Sequence, residues 1–200
     1  MVSQELAPAT TFANVLTDAV RGEGPHPQPA QVTTALLEAE RQAKQQRYGV
    51  DAEALLGSWQ LRFTAPNKPA YKAGQPVGKG FYWPAIAPGT IRFSRAENQG
   101  DALTIQNQLM LGPLKLQFSG PAKFLPKKNL LAFDFVRLQF FVGRWQLLTL
   151  PISGKTGNGE AFPTTRISQL PFFAFFAATE RYIAARGRGG GLALWIHSGE

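Results

Sequence analysis

The chain has 200 residues and no cysteine, which excludes disulfide bonds, thiol nucleophiles and cysteine-ligated metal sites. Its charge is uneven: residues 1–56 hold four Lys/Arg and seven Asp/Glu, a balance of −3, whereas residues 57–200 hold seventeen and six, a balance of +11, for a total of +8. A basic surface attracts phosphate-rich partners, either nucleic acid or anionic lipid headgroups. No apolar run reaches the roughly 18 residues of a membrane-spanning helix, and no signal or transit peptide is visible, so we expect a cytoplasmic protein, at most peripheral to a membrane.

Two amphipathic helices are predicted in residues 1–56. Over residues 11–21 the apolar side chains recur at the spacing of one helical stripe, and Gly22 ends the pattern. A second stripe runs over residues 29–48 and stops at Gly49. We expect each stripe to pack on the domain that follows or to plug one of its ends.

The chain changes character at Gly57. From there to position 63 it alternates polar side chains with apolar Trp59, Leu61 and Phe63, the pattern of a strand with one buried face. Further short strands, separated by Gly- and Pro-rich turns, are predicted over 81–83, 90–95, 102–111, 114–119, 130–135, 138–150 and 192–197. Eight or nine strands at this spacing favour a closed barrel or a sandwich. We therefore predict a mainly β protein, an antiparallel β-barrel over residues 57–200 behind a helical segment, residues 1–56.

Two of the predicted strands, 130–135 and 138–150, are apolar on both faces. This pattern indicates either burial on two sides or a wall that faces a ligand. We expect alternate inward side chains of the barrel to line an apolar pocket, and the ligand-binding candidates are Leu109, Phe118, Phe133, Phe135, Phe140 and Trp145.

The most apolar run of the chain, residues 170–178, reads Leu-Pro-Phe-Phe-Ala-Phe-Phe-Ala-Ala, and arginines flank it. One interpretation is a buried segment that completes the core. The other is a wedge that enters a bilayer interface with the arginines at headgroup level. The second interpretation predicts membrane contact by Phe172, Phe173, Phe175, Phe176, Arg181 and Arg188.

Catalytic chemistry has little support in the sequence. The two histidines, His26 and His197, have no obvious triad or metal neighbours, and the glycine-rich residues 74–80 lack the spacing and the Ser/Thr of a phosphate loop. Asp134, between two phenylalanines, is interpreted as a surface or arginine-paired carboxylate rather than an inward one of raised pKa. We predict no catalytic residue, no metal site and no cofactor.

Three blocks of sequence carry a resemblance to a known family. They are Val-Leu-Thr-Asp-Ala-Val-Arg-Gly at 15–22, Leu-Leu-Gly-Ser-Trp-Gln-Leu-Arg-Phe at 55–63, and Tyr-Ile-Ala-Ala-Arg-Gly at 182–187 leading into Gly-Leu-Ala-Leu-Trp at 191–195. Together they resemble the plastid lipid-associated protein or fibrillin family of plastids and cyanobacteria, and the Gly-x-Trp of the second block is similar to the lipocalins.

The resemblance implies a lipocalin-like barrel that Trp59 closes at one end beneath Arg186. It also implies a non-enzymatic, lipid-associated protein that binds a hydrophobic small molecule such as a lipid, quinone or carotenoid. Such a protein attaches peripherally to thylakoid membranes or lipid globules, and an anionic membrane surface is its second expected partner.

Two alternatives remain open. The first is a barrel that binds single-stranded nucleic acid, with Phe81, Tyr82 and Trp83 as stacking groups and an affinity that falls steeply with salt. The second is a pigment-handling lyase on a lipocalin-like fold. The main interpretation expects no nucleic-acid partner, and the sequence leaves the oligomeric state open.

Overall fold

The computed structural model describes residues 12–21, 24–96 and 102–199. Two helices, α1 (Phe12–Val20) and α2 (Pro29–Gln46), precede thirteen strands. The strands are β1 (Gly57–Ala65), β2 (Ala70–Lys72), β3 (Gln75–Val77), β4 (Phe81–Tyr82), β5 (Gly89–Arg95), β6 (Leu103–Leu111), β7 (Leu114–Leu125), β8 (Leu130–Phe133), β9 (Arg137–Val142), β10 (Trp145–Pro151), β11 (Phe172–Ala178), β12 (Tyr182–Gly187) and β13 (Leu192–His197).

Eight strands form a closed antiparallel barrel. Their order is β7-β6-β5-β1-β13-β12-β11-β8, and β8 pairs back with β7 to close the ring. The predicted mainly β, lipocalin-like barrel behind two N-terminal helices is therefore confirmed. The β9–β10 hairpin is inserted between β8 and β11 and continues the sheet outward from β7.

Both helices pack on the outer wall of the barrel. Their buried stripe, which includes Leu16 and Leu36, contacts apolar residues on the outer face of β1, β11, β12 and β13, such as Phe63, Phe176 and Leu194. Of the two arrangements expected for the helices, packing on the barrel is thus the one observed.

The first barrel strand changes face part-way along. Trp59 and Leu61 point into the barrel, as expected, but a bulge between Leu61 and Phe63 places Phe63 with the helices outside. The expected single buried face of residues 57–63 was therefore wrong at Phe63. The bulge also turns Arg62 outward, where its guanidinium donates to the carbonyls of Ala19 (3.0 Å) and Arg21 (2.7 Å) at the end of α1.

One end of the barrel is closed by residues 50–56. Leu55 is fully buried against Trp59, whose Nε1 donates to the Leu55 carbonyl at 2.8 Å. The ring of His197 meets Trp59 edge-on, with centroids 4.9 Å apart. Trp59 itself is 2 % exposed, so this end holds no open cavity around it.

Arg186 does not stack on Trp59, and the expected closure pair was wrong on that side. Its side chain leaves the outer face of β12 and binds the Glu40 carboxylate of α2, with Nε–Oε1 and Nη2–Oε2 distances of 2.8 and 2.5 Å. Further bonds from Nη1 reach the carbonyls of Pro69 (3.2 Å) and Gly190. The physical reason is the alternation of β12, which sends Ile183 and Ala185 inward and Arg186 outward.

At the other end, which we call the parted end, the sheet divides because β7 changes its pairing partner. Residues 122–125 of β7 pair with β8, and residues 114–119 pair with β9, so that β8 and β9 follow β7 as one long strand with an extra residue at 134–136. The far edge of β8 pairs with β11 and closes the ring, whereas the far edge of β9 pairs with β10. Gly120 permits the close passage at this junction, because a Cβ there would lie 1.9 Å from the Asp134 carbonyl oxygen.

Candidate apolar binding site

An apolar cavity of about 300 Å³ lies inside the barrel near the parted end. Its walls come from β1, β5, β6, β7, β11 and β13 and from the segment before β5. The side chains that define it are Leu61, Trp83, Ile91, Leu109, Leu116, Phe118, Phe173 and Trp195. Ligand pockets in proteins occupy roughly 300–1,000 Å³ and are mostly apolar with a few polar groups, so the cavity is of binding size.

Strand register places these side chains on one face. Ile91 lies opposite Asn107, which lies opposite Phe118, and Leu109 lies opposite Leu116 in the next pair along. Directly opposed residues of antiparallel strands share a face. Asn107 therefore brings an amide group to a mostly apolar wall that also includes Thr64, Thr90 and Gln108, and it can hydrogen-bond a ligand carbonyl or hydroxyl there.

Aromatic side chains fill the barrel beneath the cavity. Phe173 meets Trp195 edge-on at 5.5 Å between centroids and stacks on Phe133 at 5.1 Å. Phe175 and Phe93 continue this layer toward the closed end, 6.1 Å apart. The cavity is consequently shallow, and any ligand too large for it has to extend outward rather than deeper.

The inner face of the barrel continues without a break onto the β9–β10 hairpin. Across the neighbouring strands, Leu116 lies opposite Phe140, which lies opposite Leu148. One step nearer the hairpin turn, Leu114 lies opposite Val142, which lies opposite Trp145. On the hairpin and on the β6–β7 turn beside it, none of the described residues covers this face. We call it the open apolar face, which consists of Leu109, Leu111, Leu114, Phe140, Val142, Trp145, Leu148 and Leu150, each at least 39 % exposed.

The opposite face of the same strands is mostly polar, with Met110 and Phe141 as its apolar members. Gln117 donates to Gln139 at 3.0 Å, Gln139 to Gln146 at 2.8 Å, and Gln146 to the Thr149 hydroxyl at 2.9 Å. This chain of side-chain hydrogen bonds is typical of a surface that stays in water. The hairpin therefore has one face suited to solvent and one face suited to an apolar partner.

The six predicted ligand-binding residues share the inner face of the sheet but occupy three levels. Leu109 and Phe118 line the cavity. Phe133 and Phe135 lie below it in the aromatic layer. Phe140 and Trp145 lie beyond it on the open apolar face. Their binding roles stay predictions.

The Phe-rich run lies inside the protein, and the structure does not support the expected membrane wedge. Phe173 and Phe175 point into the barrel, and Phe172 packs outward near the buried Leu170. Phe176, beside a bulge, faces the helices; Phe175 and Phe176 are only 3 % and 6 % exposed. The reason is that β11 pairs with β12 over most of its length and with β8 over residues 172–174, and that its two faces pack on the barrel core and on outer apolar clusters.

The two arginines assigned to the membrane are exposed, but neither is beside a free apolar surface of β11. Arg188 donates from Nη1 to the Leu170 carbonyl at 3.1 Å. Arg181 lies in the β11–β12 turn, where its carbonyl accepts from the His197 amide at 2.9 Å, at the closed end of the barrel.

Several cavity residues were missed by sequence reasoning. Trp83 belongs to no long strand, and its Nε1 is held by the Ala87 carbonyl at 2.6 Å, so only its ring carbons are offered to a ligand. Trp195 and Leu61 follow period-two patterns that mark them as inward. That alternation was the available signal, and it could not say at which level of the barrel each residue would lie.

Other candidate chemistry has structural explanations. Asp134 is neither surface-exposed nor paired with arginine: its carboxylate, 3 % exposed as a residue, accepts from the Thr156 amide (2.8 Å) and hydroxyl (2.7 Å). His26 contacts the Arg62 guanidinium. Among the residues that the structure describes, no group of three or more His, Asp or Glu could hold a metal, and no helix is long and apolar enough to cross a membrane.

Comparison of the chain with models of known protein families, with curated proteins and with solved structures gave no match. The resemblance carried by the three sequence blocks therefore stays a prediction. Function has to be argued from the cavity and the surface around it.

Proposed function

We propose that this protein is a non-enzymatic carrier that binds a hydrophobic small molecule at the parted end of its barrel. The observation that supports this proposal best is the continuity of the apolar cavity with the open apolar face. A ligand seated in the cavity would remove apolar surface from water, which contributes about 25 cal/mol per Å².

The ligand class follows from the size and chemistry of the site. A cavity of about 300 Å³ is at the small end of the range for ligand pockets, so a headgroup or a short chain fits within it. A carotenoid or a long-tailed quinone or lipid would extend over the open apolar face. Asn107 is the group we expect to bind the ligand's carbonyl or hydroxyl oxygen.

The cellular setting rests on the sequence resemblance and on charge. The fibrillin-like blocks imply a lipid-associated protein at the periphery of thylakoid membranes or lipid globules. The balance of +11 over residues 57–200 suits an anionic lipid surface. We therefore propose a hydrophobic small molecule and an anionic membrane surface as the partners.

The nucleic-acid alternative has weaker support. Phe81 and Trp83 do stack, with centroids 6.2 Å apart, but Tyr82 packs edge-on against Phe63 and is not available beside them. A polar groove lined by Arg95, Lys123 and Arg137 lies on the outer surface and does not include these aromatic residues. Backbone-tracking cations and stacking rings thus do not form one strip, as single-strand binding requires. The pigment-lyase alternative gains no observation in its favour.

The test of the proposal is titration with a short-tailed plastoquinone. Trp83 and Trp195 line the cavity, so we expect quinone binding to quench tryptophan fluorescence in a saturable way. Ala193 of β13 also lines the cavity. Ala193→Phe puts a large ring into the cavity and should weaken quenching by about tenfold or more, since it displaces the ligand from the apolar walls.

The matched control is Ala13→Phe, the same substitution at an exposed position of α1. It should titrate as the wild type does. Equal quenching in both variants, together with an organic-solvent extract of the natively purified protein that contains no apolar compound, would overturn the carrier proposal.

A further inference from the structure

We propose that the open apolar face is a docking surface for an anionic lipid bilayer, and that docking turns the cavity mouth toward the membrane. The inference rests on the proposed carrier function, because it names the surface from which the carrier would load. It concerns a different part of the chain from the Phe-rich run, which is buried.

All seven residues of β10 are exposed, Trp145 is 68 % exposed and the adjacent Leu147, at the bulge, is 65 % exposed. β10 contains no charged residue and, within the described part of the chain, is an edge strand that pairs only with β9. A contiguous apolar surface at an unpaired strand edge is typical of a site that binds another chain or a membrane.

The charge around this face selects the partner. Residues 102–159 contain seven Lys/Arg and one acidic residue, Asp134, which is buried. Arg144 is exposed in the hairpin turn immediately before Trp145, at the border of the open apolar face. Lys115 lies on the opposite face, with its Nζ 3.9 Å from the centroid of the Phe141 ring. A basic side chain beside an apolar face matches anionic headgroups above acyl chains, at about 1 kcal/mol for each cation near the surface.

A second copy of this chain is a poorer occupant. It would bring the same cations, including Arg144, to the same face, and the chain as a whole carries +8. Like charges repel at such an interface, whereas an anionic bilayer attracts them.

The unpaired backbone of β10 sets the depth of docking. Backbone N–H and C=O groups without partners are costly in hydrocarbon, so the strand edge stays at the hydrated headgroup level while side chains enter the interface. Tryptophan favours this level, because its ring is apolar and its N–H is polar. Trp145 is therefore the residue we expect to enter first.

The experiment is flotation of the full-length protein with vesicles of phosphatidylcholine alone or mixed equally with phosphatidylglycerol. Wild type should float with the anionic vesicles and much less with the neutral ones. The double variant Trp145→Ser, Leu148→Ser should bind anionic vesicles at least about tenfold more weakly than wild type, because two exposed apolar side chains are removed. Arg144→Glu should weaken binding to anionic vesicles only.

Two controls make the result specific. Tyr48→Ser removes a ring that is 42 % exposed but lies near Ala178 at the closed end, and it should float as wild type does. Ala193→Phe should lose quinone quenching yet still float, so failure of the carrier proposal and failure of the docking proposal give different results.

Absence of flotation by wild type, or equal flotation by the double variant, would overturn the docking proposal. Sedimentation analysis covers the remaining occupant: a wild-type dimer that the double variant converts to a monomer would assign the open apolar face to a second copy and reject the bilayer.

Discussion

The two ends of the barrel present tryptophans in opposite situations. Trp59, at the closed end, is 2 % exposed and is packed among Leu55, His197 and the barrel core. Trp145, beyond the parted end, is 68 % exposed on the hairpin. Both lie on the inner face of the same sheet. The difference shows that the chain supplies its own cover at one end, whereas the described residues leave the apolar face beyond the other end exposed.

The largest expected effect comes from replacing each of the two tryptophans with alanine. Trp59→Ala should lower the free energy of unfolding by about 3–5 kcal/mol, because it leaves a cavity in a packed core. Trp145→Ala should change it by about 0.5 kcal/mol or less, since an exposed side chain has few packing partners to lose. Urea denaturation of both variants measures the two values, and similar losses would remove the distinction between the ends.

The helix-covered wall extends the closed region, and its ion pair gives the next largest effect. Glu40→Gln should cost roughly 2–3 kcal/mol, less than the 3–5 kcal/mol of a fully buried pair, because Arg186 keeps two carbonyl partners and is 22 % exposed. Denaturant unfolding at neutral pH measures it. Asp18→Asn, which removes an exposed pair with Arg21, is the control and should be nearly neutral.

The same ion pair predicts a pH dependence with a definite sign. Burial acts to raise the pKa of Glu40, but hydrogen bonds from Arg186 and Lys44 outweigh it and hold the pKa below the ordinary 4.5. A carboxylate of lowered pKa stabilises the fold above its unfolded pKa and loses that contribution as the pH falls through the folded value. Wild type should therefore lose more stability than Glu40→Gln as the pH is lowered below 4.5.

The smallest predicted effect concerns the junction between the two regions. Thr156→Val removes the hydroxyl donor to Asp134 but keeps the backbone donor, so we expect a loss of about 1–2 kcal/mol. Amide hydrogen exchange should rise in the segment that follows β10 and not in β12. Unchanged exchange there would show that this hydrogen bond does not hold the junction.

Much of the fold could be predicted from periodicity, and the failures have a common cause. The helical stripes, the β6–β7 hairpin at its Gly-Pro turn and the inward alternation of Leu109 and Phe118 all follow from local spacing. Bulges interrupt such spacing without changing composition. The bulges in β1 and β11 therefore moved Phe63 and Ala177 to a face that a strict period of two could not give.

The apolar character of the candidate site could be predicted, but the position of each residue along the barrel axis could not. Apolar strands near 130–150 indicated a ligand-facing wall, and the described structure places an open face there. What the spacing could not show is which aromatic run the fold would bury. Similarly, Glu40 lies 146 residues before its partner Arg186, and no local pattern links the two.

The extra residue at 134–136 has a consequence for how the hairpin could change. In β8 the odd-numbered Leu131 and Phe133 face inward, whereas in β9 the even-numbered Leu138 and Phe140 do. One residue thus shifts the phase of everything downstream. Its loss would exchange the two faces of the hairpin, so that the glutamine side chains would continue the inner face of the barrel and the open apolar face would continue its outer face. One residue therefore determines which face of the hairpin is continuous with the barrel interior.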